Sequence, residues 1–241
     1  MGVEFDPLTL PEAVDWAIAQ TETRNAAYCV TPNAEIVWEA MQSEEFCRLV
    51  NGAQLVLPDG AGVVLGARIL GRPPLRKVAG VEFGAALAQA LAQRQGRLFL
   101  LGAKPGVAEQ AGKNLAAQYP GLRICGTSDG YFQQAGPVID QINRASPDAL
   151  FVCLGAPKQE RFMAQYQTEL NVGMMVGLGG SMDFFAGQVR RAPGWMIRCN
   201  LEWLYRLVKQ PERLGRMMRL PRFVLACKKQ HKLEMRRNQN G

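Results

Sequence analysis

Histidine is almost absent: among 241 residues there is one, His231, in a basic stretch near the C-terminus. Histidine-based triads and His-rich metal sites are therefore not expected in the body of the chain. No Asp-x-Asp pair occurs either. A divalent cation held by paired carboxylates against a diphosphate is thus not expected, and phosphate charge has to be met by Lys, Arg and backbone amides. The six cysteines, Cys29, Cys47, Cys125, Cys153, Cys199 and Cys227, include no Cys-x-x-Cys, so reduced, mostly buried thiols in a cytosolic compartment are the expectation. The opening MGVEFDPLTLPEAVDWAIAQ has acidic residues and no basic segment ahead of an apolar core, unlike a signal peptide. No apolar run reaches the roughly 18 residues of a membrane-spanning helix. A soluble or peripheral protein is expected.

The hydrophobic content of 48% over 241 residues suffices for one α/β domain with a small appendage. The net charge of +7 hides an asymmetry: from Arg190 onward there are 14 Lys and Arg against three Glu, an excess of +11, and the preceding part is acidic by four charges. The far end is suited to an anionic surface.

Short β-branched or apolar runs alternate with amphipathic stretches, the pattern of βα units and a mainly parallel, Rossmann-like sheet. Strands are predicted at 26–30, 54–57, 97–101, 122–125, 149–154 and 172–176, each followed by turn chemistry: TPN, PDG, GAKPG, GTSDG, GAPKQ and GLGG. Helices are predicted at 34–41, 81–93, 107–118, 138–144 and 158–166 from apolar residues recurring every three or four positions. After Gly187 no strand-like run remains, and helices broken near Pro193, Pro211 and Pro221 suggest a core over 1–194 and a helical appendage over 195–241. A cut near Gly194 is expected to leave a folded core.

Ligands of such sheets gather beyond the carboxyl ends of the strands, so the turns are the candidates. Asp59 in Pro58-Asp59-Gly60 offers a carboxylate that fits a general base or, as plainly, a helix cap. Thr31 and Asn33 offer a hydroxyl and an amide for sugar or phosphate, or an N-cap. Lys158 and Gln159 stand on the first turn of a helix, where backbone N–H groups favour anions. Gly179 and Gly180 would let backbone approach a pyrophosphate, or simply make a tight turn. Asp183 suits a ribose, a base or a cap. Neither GxGxxG nor GxxxxGK[ST] is present, and the first turn, TPN, has no glycine; this argues against a dinucleotide-dependent oxidoreductase. A nucleic-acid-binding module using the basic tail is the competing class, opposed by the apolar residues set among the arginines.

Taken in order, TPNAEIVWEA, LVLPDGAGVVLGARILG, PLRKVAG, LFLLGAKPGVAEQA, DALFVCLGAPKQERFM, GLGGSMDFFAGQVRRAP and NLEWLYRLVKQPERLGRM resemble the WecG/TagA/CpsF family of bacterial glycosyltransferases, family 26. The resemblance implies a Rossmann-like core of the GT-E type with a C-terminal appendage that closes the site at the membrane. It implies inverting transfer of a sugar, typically N-acetylmannosamine or its uronic acid, from UDP to an undecaprenyl-diphosphate-linked sugar, with no metal or other cofactor. By matching blocks, the catalytic set falls on Asp59, Thr31 and Gln159. Asn33 and the appendage arginines that meet the diphosphate, Arg206, Arg213 and Arg216, fall on binding positions in the same way, and Lys77, Gly102, Lys158, Gly179, Gly180 and Asp183 are expected to bind substrate beside them. Relatives commonly carry Arg before Val-x-Gly where this chain has Lys77, which keeps the charge and loses the bidentate fork.

The implied partners are a UDP-sugar, a polyprenyl-diphosphate-linked saccharide and an anionic membrane surface, with no nucleic acid; the chain is expected on the cytoplasmic side, peripheral to the inner face of the cell membrane, and self-association stays open. Arginines at 206–222 interleaved with Trp203, Leu204, Leu207, Met217, Met218 and Phe223 suit a helix in the headgroup layer. Residues 195–208 are expected to pack on the core and 217–232 to face the membrane.

Overall fold

The computed structural model describes residues 1–199, 201–209, 215 and 219–239, without the side chains of residues 202, 206, 209, 238 and 239. Six strands form one sheet: β1 (Ala27–Val30), β2 (Leu55–Val56), β3 (Arg97–Gly102), β4 (Arg123–Ser128), β5 (Ala149–Cys153) and β6 (Met174–Gly177). Their order is β2-β1-β6-β5-β3-β4, and each neighbouring pair is parallel. All six predicted strands form, within a few residues at their ends, and the fold is the expected Rossmann-like α/β class with C-terminal helices.

The interior strands are apolar on both faces because helices cover both. In β3, Leu98 and Leu100 enter one core and Phe99 and Leu101 the other, the period-two alternation of a strand. The first core is closed by α1 (Leu10–Thr23), α5 (Gly80–Gln93), α6 (Val107–Gln118) and α9 (Ser181–Phe185). The second is closed by α2 (Ala34–Gln42), α3 (Glu44–Asn51), α4 (Ala61–Ile69), α7 (Gly136–Ala145), α8 (Lys158–Tyr166) and a last helix, α12 (Arg219–Gln239). Between α9 and α12 come α10 (Gly194–Arg198) and α11 (Glu202–Lys209).

Helix α1 begins where the Glu12 carboxylate accepts hydrogen bonds from both the N–H and the hydroxyl of Thr9, at 2.7 and 2.6 Å, satisfying one of the N–H groups at the helix entrance. Its buried face, Ala13, Val14, Ala17 and Ile18, seats it against α5.

The last helix is tied to the body. Phe223 is fully buried and lies over Gly66 of α4, where an added Cβ would stand 2.6 Å from its ring. Glu234 pairs with Arg72 at 3.0 Å, and the Met1 ammonium donates to Gln230 Oε1 at 3.1 Å. The packing of the tail differs from the expectation. Phe223 and Cys227 belong to the second core, whereas Trp195 is 56% and Val208 71% exposed. The physical reason lies in spacing: Leu220, Phe223, Val224 and Cys227 recur at three and four positions and form one apolar stripe, which the interleaved Arg and Lys residues conceal from a reading by composition.

Candidate active site

The loops leaving the carboxyl ends of all six strands meet in one cleft of about 650 Å³, the ligand position expected of an open parallel sheet. Thr31 and Asn33 come from the end of β1, Asp59 from β2, Lys104 from β3, Tyr131 from β4, Gln159 from the segment after β5, and Gly179, Gly180 and Asp183 from the turn after β6.

Two of these loops and the segment leading into α5 are laced together by backbone. Asp59 N–H donates to the Pro32 carbonyl at 3.1 Å, and Val78 N–H to the Pro58 carbonyl at 2.9 Å. The Asp59 side chain then accepts from the N–H of Gly80 through Oδ2 at 3.2 Å. Helix α5 has no side-chain cap of its own, and neither has α4, which directly follows Asp59. The aspartate therefore caps a helix, as its residue type suggests, but the one 21 positions on, and this fixes the carboxylate at the cleft wall. A Cβ on Gly80 would lie 2.9 Å from Thr31 Oγ1, so α5 approaches Thr31 this closely only because residue 80 is glycine.

Thr31 Oγ1 donates to the Gly177 carbonyl at 3.0 Å, joining the ends of β1 and β6. Asn33 Oδ1 accepts from the N–H groups of Glu35 and Ile36 at 2.9 and 3.1 Å. Its oxygen is the N-cap of α2, which leaves its amide nitrogen as the group suited to a ligand. Gln159 is 2% exposed. Its Oε1 accepts from Gly179 N–H at 2.9 Å, and its Nε2 donates to Glu160 Oε1 at 2.9 Å.

Other expected positions stand apart. Lys158 donates from Nζ to the Gly130 carbonyl at 2.9 Å and sits 4.6 Å above the centre of the Phe132 ring; it secures the loop bearing Tyr131 and is not among the residues lining the cleft. Gly102 is a packing position: an added Cβ would lie 2.3 Å from the Cys153 carbonyl oxygen across the β3–β5 ladder. Lys77 is half-buried, directly before Val78, and outside the lining. Arg213 and Arg216 lie outside the described residues, as does the side chain of Arg206.

The cleft also holds groups that turn chemistry did not single out. Tyr131 stands at its edge, 65% exposed. Arg219, from the start of α12, lines it and pairs with Glu39 Oε2 at 3.0 Å. Lys104 is a second cation on the wall. Position in the alternation of strand and turn could have nominated Lys104 and Tyr131; Arg219 needs the docking of α12, which no local signal announces. Cys153 lines the cleft too, but burial pushes its thiol up to about 12. It carries no appreciable thiolate at neutral pH and is not a nucleophile. Among the described residues, no three of His, Cys, Asp and Glu gather as a metal site.

The family model described as the glycosyl transferase WecG/TagA/CpsF family matches residues 1–238. The chain belongs to this family. It is thus a glycosyltransferase, and the strand-tip cleft is its candidate active site. Among similar proteins, one from Bacillus spizizenii (strain ATCC 23059 / NRRL B-14472 / W23) is 37% identical over 220 residues, covering 91% of this chain and 86% of the relative. Another from Bacillus subtilis (strain 168) is 39% identical over 202 residues, covering 84% and 79%. A third from Staphylococcus aureus (strain MW2) is 31% identical over 227 residues, covering 93% and 89%. All three are named N-acetylglucosaminyldiphosphoundecaprenol N-acetyl-beta-D-mannosaminyltransferase. In this WecG/TagA/CpsF-family chain, no helix among the described residues is long and apolar enough to cross a membrane.

Proposed function

We propose that the cleft transfers N-acetylmannosamine, or a closely related hexose or uronic acid, from UDP to the sugar of a polyprenyl-diphosphate-linked acceptor, with inversion and without a metal ion. The observation that carries this reading is the Asp59 carboxylate, fixed by Gly80 N–H in the same cleft as the glycine turn after β6. The names of the relatives support the acceptor class and the sugar.

In the proposed reaction, Asp59 takes the proton from the acceptor hydroxyl as its oxygen attacks the anomeric carbon. The bond from that carbon to the diphosphate oxygen breaks on the opposite face, and UDP leaves with the bonding electrons. Thr31 and Asn33 orient sugar or phosphate oxygens beside Asp59. Backbone at Gly179 and Gly180 approaches the diphosphate, and Asp183 and Tyr131 suit the ribose and the base, the latter by presenting an aromatic face. Cations stabilise the charge growing on the leaving group: Lys104 and Arg219 from the cleft wall, and by family resemblance Arg206, Arg213 and Arg216. Arg219 is held by Glu39 in a pair 41% and 37% exposed, the kind of contact worth about 1 kcal/mol or less, so a diphosphate competes for it readily. The metal-free reading rests on the cations Lys104 and Arg219 of the cleft wall, which can meet the diphosphate charge in place of a metal ion.

The acceptor also dictates where the enzyme works. A polyprenyl chain stays in the bilayer, so on this reading the cleft meets a membrane surface, and a nucleotide-sugar donor made in the cytoplasm puts that surface on the inner face, with the chain peripheral to it. Exposed Trp195, Trp203, Leu204 and Val208, with the basic residues that follow, suit that contact. The same exposed apolar surface is available for self-association.

The test is a panel of UDP-sugars with a synthetic prenyl-diphosphate-linked N-acetylglucosamine acceptor, in EDTA. UDP release with UDP-N-acetylmannosamine or a near relative, insensitive to EDTA, is expected. No turnover with any donor, or strict dependence on added Mg²⁺ or Mn²⁺, contradicts the reading.

A further inference from the structure

Glu160 is a carboxyl group with 0% exposure on the first turn of α8, one residue from the cleft-lining Gln159. Its Oε1 accepts from Gln159 Nε2 at 2.9 Å, while Oε2 is buried without a hydrogen-bond partner. Burying an acid that is only half satisfied is unfavourable, and apolar side chains of similar volume usually replace such groups without loss of stability. Burial also pushes this carboxyl above the usual range, against the opposing effect of the Gln159 hydrogen bond. Stability therefore does not account for an acid here.

Orientation of an amide does. The two ends of a glutamine amide are nearly equal in shape and opposite in hydrogen-bonding sense. Gly179 N–H is purely a donor, so only Gln159 Oε1 satisfies it. Glu160 Oε1 accepts the other end in either protonation state of the acid. A flipped amide would set donor against donor at Gly179 in either state of the acid, and acceptor against acceptor at Glu160 when the acid is ionised. The amide also lies against Gly177, where an added Cβ would stand 3.1 Å from Gln159 Nε2. The Gly177 carbonyl accepts from Thr31 Oγ1, and Thr31 in turn abuts Gly80, the donor to Asp59. A continuous set of contacts thus runs from Glu160 through the glycine turn to the candidate base.

We propose that Glu160 is a positioning residue: by accepting from Gln159 Nε2 it locks that amide with its oxygen toward Gly179, and so holds the turn at 177–180 in its ligand-ready shape. The effect on ligand binding rests on the reading of this cleft as a UDP-sugar site; the effect on the turn does not. What is required is an acceptor of this length at position 160, not a charge.

The test uses the full chain as wild type, Glu160→Gln, Glu160→Leu, Gln159→Leu and the double Leu variant, with two readouts: hydrogen exchange at the Gly179 amide, referenced to core amides of β5, and the UDP dissociation constant by calorimetry. Glu160→Gln keeps an acceptor and is expected to retain both within about 3-fold. Glu160→Leu is expected to speed Gly179 exchange and weaken UDP by about 10-fold each, as expected for losing roughly one hydrogen bond's net worth, while β5 amides keep their rates. The double variant is expected to be no worse than Gln159→Leu alone. Should Glu160→Leu not fold, Glu160→Met carries the same comparison. Wild-type Gly179 exchange in the apolar variant, equal damage from Glu160→Gln, or additive losses in the double variant each overturn the proposal. If wild type fails to bind UDP, the donor assignment falls, and the Gly179 exchange pattern still decides the role of Glu160.

Discussion

The backbone N–H of Gly80 donates to Asp59 Oδ2 at 3.2 Å, tying the first turn of α5 to the loop beyond β2. The bond makes α5 the support of the proposed base, and the absence of a side chain at residue 80 lets the same turn pack against Thr31. Gly80→Ala places a methyl 2.9 Å from Thr31 Oγ1. Overpacking of this kind costs about 1–3 kcal/mol, and a displacement of α5 moves the Asp59 carboxylate with it. We expect the variant to melt at lower temperature and to lose at least about 10-fold in kcat/KM. Steady-state kinetics beside a thermal melt check this; a full-activity variant would show that Asp59 does not depend on α5.

The C-terminal helix is expected to be needed for the stability of the body itself. Phe223 is fully buried against α4 in the second core, so Phe223→Ala is expected to cost about 3–5 kcal/mol. Chemical denaturation read by circular dichroism measures it. A chain ended after Gly194 loses Phe223 and Cys227 from that core together, and is expected to unfold earlier still and to expose apolar surface. This replaces the simpler expectation that a cut there leaves the core intact.

Glu160 also predicts a pH dependence of stability. Its folded-state pKa is raised by burial, so the folded chain holds this proton more tightly than the unfolded chain does. The group's contribution is fully present below the ordinary carboxylate range and is lost as pH rises through the raised value. Glu160→Gln does not titrate there. Its melting temperature relative to wild type is therefore expected to climb as pH rises above the ordinary carboxylate range, measured by calorimetry from acid to neutral pH; a flat difference would mean the acid is not held neutral.

Much of the fold was legible because its signals are local. The strands at 97–101 and 149–154 are short apolar runs bounded by turn chemistry, and the structure returns them as β3 and β5. The strand-tip loops followed, since a parallel sheet puts its ligand there, and Thr31, Asn33, Asp59, Gln159, Gly179, Gly180 and Asp183 do share one cleft. What stayed hidden depends on contacts between distant parts of the chain. That Asp59 caps α5 and not α4, that Gly102 is glycine because of Cys153 on the neighbouring strand, and that Phe223 fills the space above Gly66 are facts of packing. Arg219 reaches the cleft for the same reason: the stripe through Phe223 and Cys227 pins α12 to α4 and α2. Where Lys158 points was equally hidden: in the structure its ammonium meets the Gly130 carbonyl and the Phe132 ring, outside the cleft lining.

In the proposed reaction everything turns on Asp59 as the base of a sugar transfer carried out in this cleft. The most direct measurement of that role is kcat for Asp59→Asn with UDP-sugar and prenyl-diphosphate-linked acceptor, beside the UDP dissociation constant of the same variant. A fall in kcat of about 10²-fold or more is expected with UDP affinity held within a few-fold, because the amide keeps the shape and the bond from Gly80 but cannot take the proton. Turnover equal to wild type, with binding unchanged, would contradict that role.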